Sequence, residues 1–591
     1  MNDVPSPASG SEWVVRLDGR SPPDRALIGG KAWSIAWMDG LGLSVPPAFV
    51  ITTRACAAFM HGEAMPAGLE NEIAASVAWL EQQSGRTFGG GPRPLLVSVR
   101  SGAPVSMPGM MDTVLNLGIN RDTAPLLAAE CGDPGFAEDT HRRFLDLYSS
   151  IVLKIPPIEF DEGSGPDEWH RAIATASGGA AVPENVTEQL AGAVRAVFES
   201  WNSRRARRYR QHHGIADDLG TAVTVQAMAF GNIDDRSGTG VLFSRNPLDG
   251  TNAPYGEYIA RAQGEDLVSG RRTPLPLSEM LESVPHAHEK LLAAARALEV
   301  AQGDVQDIEF TVESGKLYLL QSRSAKRAPK AAVRIAVDMV TEGLIDKVEA
   351  LRRVSPEQVR SLLNPRLADG AADQATVIAQ GEGASPGIGC GTVVIDPDHA
   401  EARARDGEAI VLARPTTSPN DVHGMIAARA ILTEKGGSTS HAAVVGRALG
   451  RACVVGCGEG SLGGLEGRTV TVDGQAGRVY DGSLEVVIPR EEDDPALCQL
   501  LGWAEPHCDI RIEQVPSGDC VDLDAVLPAA DPSDIAQLFN GVPRGATVRG
   551  AILASEEGIR AAINAGVGSI VTSPRLPAML QVAQARIDAG R

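Results

Sequence analysis

Ile28-Gly29-Gly30-Lys31 places a cation directly after two glycines. Glycine lets backbone approach a phosphate closely and lysine adds a point charge, although so short a run is weak on its own. A second element, residues 98–113 (SVRSGAPVSMPGMMDT), ends an apolar strand at Arg100 and continues into a loop with Gly102, Ser106, Pro108 and Gly109. Such a loop could cover a polyphosphate or could be an ordinary turn-rich connection, because Gly, Pro and Ser content alone marks only a loop.

The third element, residues 307–323 (DIEFTVESGKLYLLQSR), alternates on either side of a turn at Gly315 and reads as a β-hairpin. Setting Ile308, Phe310 and Val312 against Tyr318 and Leu320 predicts a loop from Ser314 to Lys316. It also places Asp307 opposite Arg323 and Glu309 opposite Gln321 on the other face. Oxygens from Glu309 and Gln321 suit Mg²⁺, which takes few protein ligands besides nucleotide phosphates, and Arg323 could stabilise phosphoryl charge. A merely solvated face is the alternative.

The fourth element, residues 431–455 (ILTEKGGSTSHAAVVGRALGRACVV), reads as strand, Gly-Gly loop, short helix ending at Gly450, and strand. His441 stands at the helix start, where exposed N–H groups and the helix dipole favour an anionic phosphoryl group and disfavour a protonated imidazole. A capping or satisfied surface histidine fits the same place, and Thr439 and Ser440 read as N-caps.

Several folded units must position these groups, because 591 residues exceed one compact core. With 43% hydrophobic and 22% charged residues the chain is globular, and its net charge of -21 disfavours nucleic acid and anionic membrane as partners. Eight scattered cysteines without paired spacing predict reduced thiols. The sequence has no apolar run of ~20 residues and no secretory leader, which predicts a cytoplasmic protein.

The pattern predicts an α/β multidomain chain. Residues 1–327 form an α/β region with a helical insertion at about 135–215, and 328–376 form a helical connector. Residues 377–490 form a second α/β domain and 491–591 a small α/β segment. In the last segment, strand-like 550–554, helical 556–565 and strand-like 568–572 give a single α/β repeat.

These elements occur in order with PLLVSVRSGAPVSMPGMMDTVLNLG, SGTGVLFSRNPLDG, YGEYIARAQGED, RPTTSPNDVHGM and GGSTSHAAVV. Together they resemble the pyruvate, phosphate dikinase family over roughly residues 25–485. The resemblance implies an ATP-grasp-type nucleotide-binding domain with Lys31, Arg100, Asp307, Glu309, Gln321 and Arg323 at the ATP and metal positions. The Gly102, Ser106 and Gly109 loop would lie over the nucleotide. It makes 377–490 a swivelling, PEP-utilising mobile domain with His441 as phosphoryl carrier and Arg100 and Arg323 as catalytic cations. It matches Thr439 to a threonine whose phosphorylation regulates some members, and it implies a mobile connector around 328–380.

The family's full reaction converts ATP, phosphate and pyruvate into AMP, diphosphate and phosphoenolpyruvate, using a C-terminal (β/α)₈ barrel that needs ~250 residues. About a hundred remain here, and RGAILASEEGIRAAINAGVGSIVTSPRL resembles one opening barrel unit without its arginine, glutamate and cysteine motifs. The expected activity is therefore a Mg²⁺-dependent, ATP-using phosphotransferase half-reaction: ATP, phosphate and His441 giving phosphohistidine, AMP and diphosphate. The phosphoryl group would pass to pyruvate through a separate protein or to another acceptor. The alternatives are a non-catalytic ATP-binding or regulatory module, or a subunit of a split dikinase, and a homodimer stays open. An antibiotic phosphotransferase of related design would need a large drug-binding domain where only the short connector lies.

Overall fold

Short runs rich in Val, Ile and Ala build the first sheet. In spatial order its strands are Val14–Leu17, Ala48–Ile51, Ala222–Ala227, Val97–Gly102 and Thr113–Leu117, each antiparallel to its neighbours. We describe a computed structural model of residues 13–590, excluding 21–22, 63, 106, 108–110, 159, 161–162, 269–271, 364–365, 369, 374, 386, 450, 488, 524–538, 540 and 555. Helices Pro134–Ile151, Pro166–Ala176, Val186–Ser200 and Arg204–His213 follow the first sheet's fifth strand. Phe136, Phe144, Leu190 and Phe198 from these helices share a core with Val97, Val99 and Val114.

A second antiparallel sheet runs Leu275–Pro276, Tyr255–Ala260, Gly238–Phe243, Gln306–Glu313 and Lys316–Ser324. Helix Arg25–Gly40 joins the two sheets, since Ile28, Ala32 and Ile35 pack with Ala48 and Val50 of the first and Leu242, Ile308 and Phe310 of the second. The functional candidates gather along this junction.

The hairpin register needs one correction. Asp307 faces Arg323 and Glu309 faces Gln321 as expected, but the pairing shifts after Glu309, so Phe310 meets Leu319 and Val312 meets Leu317. A bulge at Leu320 shortens the connection to two residues, Ser314 (φ 49°) and Gly315 (φ 82°). Both central φ values are positive, the tight-turn geometry that matches strand twist. Leu317 and Leu319, rather than Tyr318 and Leu320, therefore enter the core.

The segment expected as a mobile connector forms helices Pro329–Thr341, Lys347–Arg353 and Pro356–Leu362, the last two capped by Asp346 and Ser355. They are pinned to the second sheet. Arg245, 0% exposed, pairs with Glu299 at 2.9 Å and with both oxygens of Glu342 at 2.7 and 2.8 Å. Arg327 pairs with Asp304 at 2.8 Å. Their outer face shares a core with helices Pro495–Ala504 and Leu576–Asp588, through Leu351, Val354 and Val359 against Leu500, Leu580 and Ala583.

An eight-stranded sheet follows, in the order Val377–Gln380, Arg478–Asp481, Thr469–Asp473, Ile388–Val394, Ile410–Arg414, Ala430–Thr433, Ala452–Val455, Glu382–Ser385. Its central strands are parallel, with helix His441–Ala448 crossing between Ala430–Thr433 and Ala452–Val455. Strands Arg366–Leu367 and Val486–Val487 pair antiparallel, so the chain enters and leaves this unit through one two-stranded ribbon.

The C-terminal segment exceeds the single repeat expected of it. Arg511–Glu513, Ser569–Val571, Thr547–Arg549 and Cys520–Asp522 form a four-stranded parallel sheet in that spatial order. The strand anticipated at 550–554 lies at Thr547–Arg549, followed by a 3₁₀ turn at Ala551–Ala554, and helix Glu556–Ala565 stands as expected. Strands of three residues flanked by polar loops leave too little alternation to be read in advance.

Candidate active site

Gly29 interrupts helix Arg25–Gly40 with φ 76° and ψ 164°, a conformation that a residue with a Cβ rarely adopts. A Cβ there would lie 1.9 Å from the Gly102 carbonyl oxygen, and the Gly30 N–H donates to Ala103 O at 3.0 Å. The glycine pair thus admits the backbone opening the 103–111 loop. The kink sets Lys31 beside Gly102 and among Arg100, Glu309 and Arg323.

Arg100 reaches from the first sheet to the second, where its Nη2 donates to Glu309 Oε2 at 2.7 Å. Arg323 Nε donates to Asp307 Oδ2 at 2.8 Å. Burial, then the charge of Arg100, lowers the Lys31 ammonium to about 7, with Glu309 opposing and Arg323 adding to the effect. Burial pushes the Glu309 carboxyl up, but Arg100, Arg323 and Lys31 together hold it below the usual glutamate value. Asp307 raises Arg323 against the effect of burial. Gln321 Oε1 and Asp307 Oδ1 are buried acceptors without a donor among the described residues. Two acids and an amide oxygen fit a cation that draws its other ligands from phosphate and water. Among the described residues no cluster of three or more His, Cys, Asp or Glu is arranged to hold a metal by itself.

Met107 packs against Trp201 and Ala206, with Met111, Tyr209 and Val422 at the edge. Ser106 and Gly109, proposed from the sequence to line the nucleotide, lie outside the described residues.

His441 is half-buried at the start of its helix. Its Nδ1 lies 3.3 Å from Thr417 Oγ1, and its Nε2 is buried without a partner among the described residues. Burial lowers the imidazole to about 4, opposed by the charge of Asp421. A solvated capping histidine does not describe this environment. Neither side chain of Thr439 and Ser440 caps the helix: the Thr439 hydroxyl donates to Glu257, and Ser440 Oγ has no partner among the described residues.

Glu257 ties the histidine loop to the second sheet. Its Oε1 accepts from Ser438 N at 3.1 Å and from Ser438 Oγ at 3.0 Å, while the single Tyr255 Oη proton is shared between Ser438 Oγ at 2.6 Å and Glu382 Oε1 at 2.8 Å. A Cβ on Gly437 would come within 2.5 Å of Glu257 Oε1, so only glycine permits this approach. Burial and, less strongly, the charge of Glu382 raise the Glu257 carboxyl, with its hydroxyl partners opposing.

The sheet register relates the two clusters. Glu257 faces Val241, which faces Glu309, which faces Gln321. One row over, Tyr255, Phe243, Asp307 and Arg323 align likewise. Directly paired residues project from one face at a strand spacing of about 4.8 Å, so Glu257 stands about 10 Å along the sheet from Glu309. The histidine loop and the acid–amide–cation cluster therefore occupy one face. Sequence reading missed Tyr255, Glu257 and Thr417. YGEYIARAQGED and RPTTSPNDVHGM contain them, but only a register across three strands relates Glu257 to Glu309.

A family model described as the pyruvate phosphate dikinase AMP/ATP-binding domain matches residues 61–277, and one described as the PEP-utilising enzyme mobile domain matches 407–477. The class is thus a nucleotide-binding domain coupled to a mobile domain of PEP-utilising enzymes. The chain is 41% identical to pyruvate, phosphate dikinase of Clostridium symbiosum over 537 residues, 85% of this chain and 61% of that protein. It is 42% identical to pyruvate, phosphate dikinase 2 of Oryza sativa subsp. japonica, covering 84% of this chain and 60% of the relative. For the chloroplastic pyruvate, phosphate dikinase 1 of Zea mays the identity is 43%, with 81% and 54% covered. The chain belongs to the pyruvate, phosphate dikinase family and spans about three-fifths of the first two relatives.

Proposed function

We propose that this chain catalyses the nucleotide half-reaction of a pyruvate, phosphate dikinase: ATP, phosphate and His441 give phosphohistidine, AMP and diphosphate. The observation that carries the reading is that Glu257, on the face that bears Asp307, Glu309, Gln321 and Arg323, holds Ser438 and Thr439 of the loop leading to His441, whose Nε2 has no partner among the described residues. On this reading residues 1–327 are an ATP-grasp-type nucleotide-binding domain, and Lys31, Arg100 and Arg323 bind the polyphosphate. Mg²⁺ would be held by Glu309 and Gln321 with Asp307 beside them, and would neutralise charge on the phosphates.

The products fix which phosphorus His441 attacks. AMP keeps the α-phosphoryl group and diphosphate combines the γ-phosphoryl group with free phosphate, so His441 retains the β-phosphoryl group. Nε2 needs its lone pair for that bond, so the imidazole proton sits on Nδ1 and Thr417 Oγ1 accepts it. The depressed imidazole keeps the ring neutral throughout the physiological range.

Residues 377–490 act as the swivelling domain. It pivots on the Arg366–Leu367 and Val486–Val487 ribbon and is held on the nucleotide side by Tyr255 and Glu257. The phosphoryl group then passes to pyruvate through a separate protein or to another acceptor. Thr439 is the regulatory position: its phosphorylation would set a dianion against Glu257. All eight cysteines are free thiols, and among the described residues no helix is long and apolar enough to cross a membrane, which supports a cytoplasmic setting.

The test is product analysis under single turnover. AMP formed in an amount matching the enzyme, dependent on phosphate and Mg²⁺, is the expected result. Release of ADP would contradict the half-reaction, and ATP bound without turnover would favour the non-catalytic module instead.

A further inference from the structure

Where the histidine loop meets the second sheet, two carboxylates come together without a cation. Glu257 projects from strand Tyr255–Ala260 of the second sheet, and Glu382 begins the edge strand Glu382–Ser385 of the histidine unit. The Ser438 N–H is shared between them, at 3.1 Å from Glu257 Oε1 and 3.0 Å from Glu382 Oε2. Two oxygens that accept from one N–H stand on the same side of that nitrogen, so the acids face each other across the boundary of the two units. Tyr255 Oη lies 2.8 Å from the other oxygen of Glu382, and the Thr439 hydroxyl meets the other oxygen of Glu257.

The groups around this pair are neutral. From the histidine loop come Gly437, the Ser438 amide and hydroxyl, and the Thr439 hydroxyl, and from the second sheet comes the Tyr255 phenol. Along the sheet Glu257 is flanked by Val241 and Pro276, and the next acid in its row, Glu309, is already paired with Arg100. Among the described residues no ion pair involves Glu257 or Glu382. Glu257 is 7% exposed whereas Glu382 reaches water, so burial acts against charge on Glu257. A buried carboxylate facing a second one, with no cation beside it, is unfavourable unless one of the two takes up a proton. Burial, then the Glu382 charge, raises the Glu257 carboxyl, with hydrogen bonds from Thr439 and Ser438 opposing.

We propose that Glu257 carries a proton while the histidine unit is docked and releases it to water when the unit swings away, so that docking takes up one proton. The proposal rests on the swivelling reading above. The proton belongs on Oε2, because its neighbour, the Thr439 hydroxyl, can accept as well as donate, while Oε1 stays open to the Ser438 N–H and hydroxyl. Undocked, Glu257 stands on an open sheet face in water and titrates as an ordinary glutamate, at about 4.3. Its carboxyl is thus raised by docking. Docking is strongest below the ordinary value and weakens as pH rises through the raised one, by up to about tenfold per pH unit between them. The swing of the histidine unit therefore responds to pH through a group that takes no part in the phosphoryl transfer.

Hydrogen–deuterium exchange on the full chain without ligand, from pH ~5 to ~8 and corrected for intrinsic rates, tests it on the peptide that holds the Ser438 N–H. In the wild type its protection is expected to fall about tenfold or more as pH rises. Strand Ile410–Arg414, bonded within the histidine unit, is the control and should hold its protection. Glu257→Gln keeps an acceptor for Ser438 and mimics the protonated acid, so its protection should stay high and flat. Glu382→Gln removes the facing charge and should shift the fall to higher pH or shrink it. The same fall in wild type and Glu257→Gln, or none in the wild type, would overturn the coupling. Glu257→Ala, which removes the clasp, separates the two readings. Lost protection in that variant beside a pH-independent wild type keeps the swivelling and sinks the proton, whereas full protection in both sinks the swivelling as well.

Discussion

Two side chains at the centre of the site, Lys31 and His441, titrate far from their usual ranges, and each gives a measurable consequence, the second through its partner Thr417. Lys31 in the ligand-free protein is held at about 7 by burial and by Arg100. A polyphosphate would raise it again, so above pH ~7 ATP binding should take up a proton. Affinity should then weaken by up to about tenfold per pH unit above that point, and Lys31→Arg should flatten the dependence. Calorimetry at pH ~8 in two buffers of different ionisation enthalpy reads the proton directly, and binding without uptake would refute this role for Lys31. His441 is the second case, read through Thr417. Thr417→Val keeps the shape but removes the Nδ1 partner of His441, and should slow phosphohistidine formation by about tenfold or more with ATP affinity unchanged. A normal rate would show that the tautomer is fixed elsewhere. At this scale the sequence was informative where chemistry sits in one short run. The Gly-Gly-Lys motif, the alternating hairpin acids and the histidine after Gly-Gly could all be read locally. Thr417 and Glu257 could not, because their meaning lies in a neighbour 24 residues away and another 182 residues away.

Among the elements, the kinked helix and the bulged hairpin hold the cluster in register. Gly29→Ala would force a Cβ onto Gly102 O in a left-handed backbone region and should cost about 2 kcal/mol or more, because neither backbone can retreat. Urea unfolding combined with ATP titration should show both stability and affinity falling, whereas an unperturbed variant would mean that the kink is not needed to place Lys31. The hairpin shows how far alternation can be read. Polar residues at 307, 309, 321 and 323 are correctly opposed because the bulge comes after them, at Leu320. A one-residue insertion reverses which neighbours turn inward from that point on, and nothing in LYLLQ announces it. The C-terminal sheet was less legible still, since its three-residue strands carry no sustained period.

Across the whole molecule, the nucleotide region, the helices 329–362 and the C-terminal segment pack as a continuous body through Arg245 and a shared apolar core. The histidine unit joins that body by a two-stranded ribbon and by the Tyr255 and Glu257 clasp. A packed connector was not foreseen. Helical periodicity predicted its helices, but the ion pairs that pin them run from Arg245 to Glu342, across 97 residues. If the clasp positions His441, Thr439→Asp should set two carboxylates together and slow phosphorylation by about tenfold or more, with ATP affinity retained. An undiminished rate would separate Thr439 from docking. The most direct test of the central claim is transfer from ATP labelled at the β-phosphate, with Mg²⁺ and phosphate, to wild type and to His441→Ala. Acid-labile label on the wild type alone, with AMP formed, is the predicted result. Label on both proteins, or on neither, would contradict His441 as the phosphoryl carrier.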